Sequence, residues 1–165
     1  MRIRSATRAD MGVIESLMAP EIAAGRLLTP SRAPDAQFVA EIDGDVVGAV
    51  ALTPWSAEVV ELGSLVSGRR GYGIGSALVG RAVEEAAHRY GWMVALTSIP
   101  GFFTRAGFQP HHETPWRWAR GDFLRVPDGN LGKGMLYKSS GCAGCPRLRY
   151  CAQTLMVRPL LETLR

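Results

Sequence analysis

Several residue types and patterns are scarce in this chain of 165 residues, and each scarcity excludes a class of protein. Three cysteines are too few for the disulfide framework of a small secreted domain. No uncharged apolar run approaches the roughly 18–20 residues that a membrane span requires. Internal repeats, coiled-coil heptads and low-complexity tracts are also missing. What is left is a globular protein with an ordinary 47% of hydrophobic residues.

Length and charge narrow the class further. The chain is long enough for one domain with a single sizeable core. Charged residues occur from Arg2 onward, so the first ten residues do not have the pattern of a signal peptide. We therefore expect a cytoplasmic protein. The formal charge of +4 is uneven: residues 1–100 hold 9 basic and 11 acidic side chains, and residues 101–165 hold 10 basic and 4 acidic ones. The last third, at +6, therefore indicates binding to nucleic acid, binding of an anionic ligand, or a charged surface that serves only solubility.

Hydrophobic periodicity predicts strands and helices in mixed order. A helix after Thr7 is expected to end at Pro20, and a long Ala-rich helix is expected to run to about Tyr90 with Gly91 after its end. The predicted strands are one around Ile3 and then residues 37–42, 46–53, 59–66, 93–97, 108–110 and 155–157. A short helix is expected around residues 102–106, and Asp43-Gly44-Asp45 predicts a hairpin turn. This order predicts one layered domain of the α/β (α+β) class.

The strongest local signal is a glycine-rich loop between a strand and the long helix. Residues 70–75 read Arg-Gly-Tyr-Gly-Ile-Gly, and Arg69 adds a second charge. A helix N-terminus attracts anions, and glycines let a phosphate approach the backbone. The loop has no Gly-Lys-Ser/Thr ending, which excludes a Walker A site, and its spacing does not fit a dinucleotide fingerprint. The pattern indicates a phosphate-binding loop or a glycine turn that only reverses the chain.

With this loop the sequence resembles the GNAT N-acetyltransferases, whose acetyl-CoA motif is Arg/Gln-x-x-Gly-x-Gly/Ala between a strand and a helix. Residues 103–108, Phe-Thr-Arg-Ala-Gly-Phe, are similar to a later segment of that family. The resemblance implies a mixed, mostly antiparallel central sheet flanked by helices, and a single domain over residues 1–165. It implies acetyl-CoA binding by Leu65, Val66, Arg70, Gly71, Tyr72, Gly73, Ile74, Gly75, Ser76 and Phe103.

Within that family the chain is most similar to the N-acetylglutamate synthase acetyltransferase domain. Residues 25–32, 61–66 and 96–108 resemble its substrate loop, its central strand and its later strand-to-helix segment. The resemblance implies acetylation of glutamate or a related amino acid, in arginine biosynthesis. The expected substrate contacts are Leu28, Ser31, Arg32 and Trp55. Two positions depart from the pattern: the order Ser31-Arg32 displaces an arginine, and Thr53 stands where many relatives carry a basic residue.

The acceptor amine must lose a proton before it attacks a thioester, and Glu61 is the candidate base, acting directly or through a water molecule. Glu61 stands among apolar residues of a predicted strand, so an outward-facing strand residue is the alternative interpretation. Phe103 occupies the position where many relatives carry a tyrosine acid. The proton that the departing CoA thiolate needs must then come from Tyr72, Thr97, Ser98 or water.

The three cysteines, Cys142, Cys145 and Cys151, fall in an expected insertion over about residues 112–152, before the last strand. Their spacing suggests a zinc site completed by a fourth ligand such as His111 or His112. Reduced thiols that only fold a loop are the alternative.

The predicted partner is a small amino acid, with no nucleic acid and no membrane, and a homodimer is compatible with the family resemblance. The alternating Trp and Arg residues from Trp116 to Arg120 could stack on single-stranded nucleic acid, but packing over the substrate cleft or in the core is the favoured interpretation. Two other functions stay open. One is acetylation of another small amine or a protein N-terminus, and the other is a non-catalytic CoA- or metal-binding sensor module.

Overall fold

The structure, a computed structural model, describes residues 1–28, 33–112 and 153–160. The strands are β1 (Arg2–Ser5), β2 (Ala36–Ile42), β3 (Asp45–Pro54), β4 (Val59–Ser67), β5 (Trp92–Thr97), β6 (Gln109–His112) and β7 (Thr154–Pro159). The helices are α1 (Met11–Ala23), α2 (Ile74–Ala87) and α3 (Pro100–Arg105), with a short 3-10 turn at Arg8–Asp10 before α1. None of these helices is long and apolar enough to cross a bilayer.

The seven strands form one mixed sheet in the order β1-β2-β3-β4-β5-β7-β6. All neighbours are antiparallel except β4 and β5, which run parallel. The parallel pairing covers three residues of β4 and ends at Glu61 opposite Val94. Among the strands that the structure describes, the rest of β4 beyond Glu61 pairs with β3 and no longer with β5, so the sheet opens between β4 and β5. The predicted fold class is confirmed.

The β2–β3 hairpin is confirmed, with its turn reduced to two residues. Asp43 and Gly44 both have left-handed φ values, +53° and +88°. Two consecutive left-handed residues are what a type I′ turn requires, and its twist matches that of the strands it joins. Asp45 already belongs to β3.

Two helix ends differ from the sequence-based expectation. α1 does not end at Pro20 but continues to Ala23, although proline cannot donate the helical hydrogen bond to Ser16. Apolar residues of α1 on both sides of Pro20 pack on one face of the sheet, and this packing outweighs the lost bond. At the end of α2, Gly91 is not a left-handed C′ residue, because the helix ends at Ala87 and the Gly91 amide instead donates to Glu58 at 3.0 Å.

The sheet has a core on each face. Ile14 and Met18 of α1 pack against Val39, Ala49 and Val66, whereas α2 packs against the alternate residues of the same strands. Gly48 permits this close approach of α2: a Cβ there would lie 2.8 Å from Ile74 Cγ2 and 2.9 Å from the Val66 carbonyl. The sequence analysis did not single out Gly48. An isolated glycine inside a strand pattern was the available signal for such a contact.

Candidate functional site

The glycine loop connects β4 to α2 at the open end of the sheet. Gly71 and Gly73 have left-handed φ values of +84° and +70°, and Gly73 is the N-cap of α2. Glycine adopts this backbone conformation without the steric cost that a Cβ imposes. Because Gly73 has no side chain, it does not cap the first-turn amides of α2, and these N–H groups are available to an anion.

The glycine loop has side chains exposed to solvent at its start and a buried side chain where α2 begins. Arg69, Arg70 and Tyr72 are exposed, whereas Ile74 is buried at 1% exposure between α2 and the sheet. A Cβ at Gly75 would lie 3.3 Å from Phe102 Cζ, so α3 supports the first turn of α2. The loop thus presents two guanidinium groups and backbone amides on a fixed base. Phe102 is a supporting residue that the sequence analysis missed.

β4 carries a bulge at the open end. Between the pairs Ala49–Val66 and Ala51–Gly63, one residue of β3 faces two of β4, and Ser64 has a φ of +52°. The bulge changes which face the following side chains occupy: Leu65 packs on the α2 side, and Val66 is buried on the α1 side. Leu65 and Val66 therefore lie at the edge where β4 has separated from β5, as the predicted cofactor contacts require.

Glu61 lies at the last paired position of β4 and is only 4% exposed. Thr53 on β3 and Val94 on β5 are its cross-strand neighbours. The Trp55 indole Nε1–H donates to Glu61 Oε2 at 3.1 Å. The interpretation of Glu61 as an outward-facing, solvated strand residue is therefore wrong. A buried carboxylate at the start of the β4–β5 opening can accept a proton from a group bound there.

The residues predicted as proton donors differ in their exposure to solvent. Thr97, at the end of β5, is 6% exposed, and its hydroxyl oxygen accepts a hydrogen bond from the Ile99 amide at 3.0 Å. Tyr72 is 66% exposed on the glycine loop, and Ser98 is exposed as well. Phe103 is 4% exposed and makes edge-to-face contacts with Phe102 and Phe108. Its predicted contact with the cofactor stays a prediction.

The end of α1 contributes an ion pair close to the loop. Arg26 donates to both carboxylate oxygens of Glu21, at 2.6 and 3.0 Å. The hydrogen bond from Arg26 lowers the pKa of the Glu21 carboxyl, and the charges of Arg26 and Arg70 lower it further. The Arg26 guanidinium is therefore already bound to Glu21. Arg70 is close enough to Glu21 for their charges to interact.

Several predicted residues lie outside the described part of the chain. Ser31 and Arg32 are among them, while Leu28 is half-buried just after α1. Cys142, Cys145 and Cys151 also lie outside it, so the zinc site and the insertion between β6 and β7 stay predictions. Within residues 1–28, 33–112 and 153–160, no group of three or more His, Cys, Asp or Glu side chains could hold a metal ion.

Comparison with known proteins identifies the fold. The family model of the acetyltransferase (GNAT) domain matches residues 34–110, slightly less than half of the chain. The N-acetylglutamate synthase of Neisseria gonorrhoeae, solved with coenzyme A and N-acetyl-glutamate, is 23% identical with a TM-score of 0.70. The alignment covers 96% of this chain and 35% of that one, so the chain spans about a third of that enzyme. No curated protein sequence matches the chain.

Two further solved structures cover nearly the whole chain. A Mycobacterium tuberculosis protein in complex with CoA is 24% identical with a TM-score of 0.69, and the alignment covers 98% of this chain and 100% of that one. The ribosomal-protein-alanine N-acetyltransferase of Brucella melitensis is 18% identical with a TM-score of 0.65, covering 96% and 99%. These solved structures show the fold of the chain, and the acetyltransferase (GNAT) family model covers its residues 34–110. The chain carries an acetyltransferase (GNAT) domain, which confirms the family resemblance found in the sequence.

Proposed function

We propose that this chain transfers the acetyl group of acetyl-CoA to the α-amine of a small amino acid, with glutamate as the preferred acceptor. One arrangement carries the proposal: β4 has a buried carboxylate at the start of its opening and an exposed anion-binding loop at its end. Six or seven strand residues separate the two, roughly 20 Å at the usual rise per residue. An elongated anionic ligand along β4 would bring its far end to Glu61.

The residues of the opening fit CoA by their donor chemistry. The first-turn amides of α2 and the guanidinium groups of Arg69 and Arg70 suit a pyrophosphate, which accepts hydrogen bonds and carries negative charge. The unpaired edge of β4 after Glu61 offers backbone groups to an extended amide-containing chain. Acetyl-CoA, when bound, supplies the acetyl group as a reactive thioester.

Glu61 serves as the general base in this proposal. An amino acid at neutral pH carries an ammonium group, and its nitrogen has no lone pair until a proton is removed. The Glu61 carboxylate takes that proton, directly or through one water molecule. The freed nitrogen then attacks the thioester carbonyl, the carbon–sulfur bond breaks, and the CoA thiolate that leaves takes up a proton. Thr97, at the end of β5, is one candidate donor of that proton, and its hydroxyl oxygen accepts a hydrogen bond from the Ile99 amide. Tyr72, Ser98 and water are the alternative proton donors to the CoA thiolate.

The preference for glutamate rests on three observations. Residues 25–32 and 61–66 resemble the N-acetylglutamate synthase motifs, residues 101–165 carry a formal charge of +6, and a structural neighbour was solved with N-acetyl-glutamate. Glutamate as acceptor would place the reaction in arginine biosynthesis. Thr53 is uncharged beside Glu61, and Arg26 is paired with Glu21, so the proposal assigns the acceptor carboxylates to another basic residue, such as Arg32.

Release of the CoA thiol from acetyl-CoA, measured against a panel of amino acids and small amines, tests the proposal. We expect the fastest release with glutamate and slower release with glutamine and neutral amino acids. Faster release with a neutral amine, or with a peptide that begins with alanine, would overturn the glutamate assignment and leave an acetyltransferase of another acceptor class. Absence of release with every amine, while acetyl-CoA still binds, would overturn the enzymatic proposal in favour of a sensor module.

A further inference from the structure

The turn between β3 and β4 holds a tryptophan in a fixed position. Trp55 follows the last residue of β3 and is 6% exposed. The backbone amides of Trp55 and Ser56 both donate to the Val59 carbonyl, at 2.8 and 3.1 Å. The Ser56 hydroxyl oxygen in turn accepts from the amides of Glu58 and Val59, at 3.1 and 3.0 Å. These bonds define the direction in which the indole leaves the backbone.

The indole ring packs in an apolar cluster and directs its one polar atom at Glu61. Val59, Val94 and Leu155 surround the ring. Its Nε1–H donates to Glu61 Oε2 at 3.1 Å in a buried setting. An indole is a donor only and does not titrate, so it supports the ionised carboxylate, which a base requires. Such a donor also restrains one carboxylate oxygen without neutralising the charge.

Gly63 accommodates the other side of the carboxylate. It lies two residues after Glu61, on the same face of β4. A Cβ at Gly63 would lie 3.2 Å from Glu61 Oε1, which is closer than ordinary van der Waals contact. Any side chain at this position would therefore press on the carboxylate.

We infer that Trp55 is a positioning residue for Glu61, and that Gly63 keeps the space into which Trp55 orients the carboxylate. The sequence predicted Trp55 as a substrate contact, whereas the hydrogen bond directs its indole N–H at the base. The inference rests on the proposed function only in taking Glu61 as the base. The orientation itself can be measured without acetyl-CoA or an acceptor.

The first test observes the hydrogen bond by NMR of the ¹⁵N-labelled protein. The chain has four tryptophans, and the indole signal that disappears in Trp55→Phe belongs to Trp55. We expect this signal to lie at a different position in Glu61→Gln, because a neutral amide replaces the charged acceptor of the indole N–H. A Trp55 signal at the same position in wild type and Glu61→Gln would overturn the inference.

The second test compares the kinetics of Trp55→Phe with those of Trp92→Phe. Phenylalanine keeps the aromatic packing and removes the donor, and Trp92 packs against the same cluster. We expect Trp55→Phe to lower kcat about tenfold to a hundredfold, the usual effect of a hydrogen bond to a charged group. The KM for acetyl-CoA should stay near the wild-type value.

Gly63→Ala is the second variant, since it keeps Trp55 and displaces the carboxylate. We expect a lower kcat with the thermal midpoint close to that of the wild type. If Glu61→Gln is inactive while Trp55→Phe and Gly63→Ala keep the wild-type kcat, the positioning inference is wrong and the base assignment stands. If Glu61→Gln is fully active, the proposed function of Glu61 fails, and the NMR test still decides whether Trp55 contacts it.

Discussion

Two carboxylates are almost completely buried in the described part of the chain, and they are held in different ways. Asp10 is 7% exposed and receives two hydrogen bonds from the Arg4 guanidinium, at 2.8 and 2.9 Å. The amide and the hydroxyl of Thr7 also donate to it, at 2.7 and 2.8 Å. Glu61 is 4% exposed and receives a hydrogen bond from the uncharged Trp55 indole.

The difference between the two carboxylates matches a structural role for Asp10 and the chemical role proposed for Glu61. The partners of Asp10 all lie within six residues of it, and Arg4 also pairs with Glu41 at 2.8 Å, so the network ties the N-terminus to β2. The hydrogen bonds from Arg4 hold the pKa of the Asp10 carboxyl well below its usual range. A carboxylate bound this way is a poor base. Because both carboxylates are buried, the proposal that Glu61 is the base rests on its position at the β4–β5 opening and not on burial.

The largest expected effect comes from Glu61→Gln. The amide keeps the size of the side chain but cannot accept a proton at neutral pH, so kcat should fall by about 10² to 10⁴. The KM for acetyl-CoA and the thermal midpoint should change little. Steady-state kinetics and thermal unfolding check this. The matched control is Asp10→Asn, which also turns a buried carboxylate into an amide and should leave kcat unchanged at a temperature where it is folded. Equal losses of kcat in Glu61→Gln and Asp10→Asn would contradict the different roles proposed for the two carboxylates.

A smaller effect is expected for Gly73→Val, which leaves both carboxylates intact. A β-branched residue is strained at a φ of +70°, so the first-turn amides of α2 should lose their orientation. At the usual cost of a left-handed residue, the KM for acetyl-CoA should rise about tenfold, with a smaller change in kcat. The control is Gly80→Ala in the exposed face of α2, where a Cβ meets nothing within 4 Å and helix propensity improves. A rise of KM in the control equal to that in Gly73→Val would contradict the assignment of the loop.

The smallest expected effect is the change in pH-dependent stability of Asp10→Asn. Since folding lowers the pKa of Asp10, mainly through the Arg4 hydrogen bonds, its stabilising contribution is complete above the unfolded-state value of about 4. It is lost as the pH falls below that value. Asp10→Asn should therefore lower the thermal midpoint at pH 7 and reduce its dependence on pH in the acid range. Asp45→Asn, at an exposed position of β3, should reproduce the wild-type curve.

Much of the secondary structure could be predicted from the sequence because its signals are local. Strand β4 was expected at residues 59–66 and is found at Val59–Ser67, and the glycine loop was expected before the long helix, where it lies. The end of α1 was mispredicted because the rule for proline is local, while the packing that extends the helix past Pro20 is not.

The candidate site was predictable only in part, for the same reason. Glycines with left-handed backbone angles and arginines at a helix start are visible in a few consecutive residues. The contact between Trp55 and Glu61 depends on the turn geometry between two strands, and the roles of Gly48 and Gly63 depend on what packs above them. The spacing of hydrophobic residues along the sequence does not indicate such contacts.

The sequence by itself therefore determined the order of the elements, the glycine loop before α2 and the residue types available for proton transfer, since these follow from neighbours along the chain. Only the tertiary structure decided that β7 lies between β5 and β6, that β4 separates from β5 after Glu61, and that an indole reaches the buried carboxylate. Those features arise where distant segments compete for the same space and the same hydrogen bonds, a competition that a linear pattern does not record.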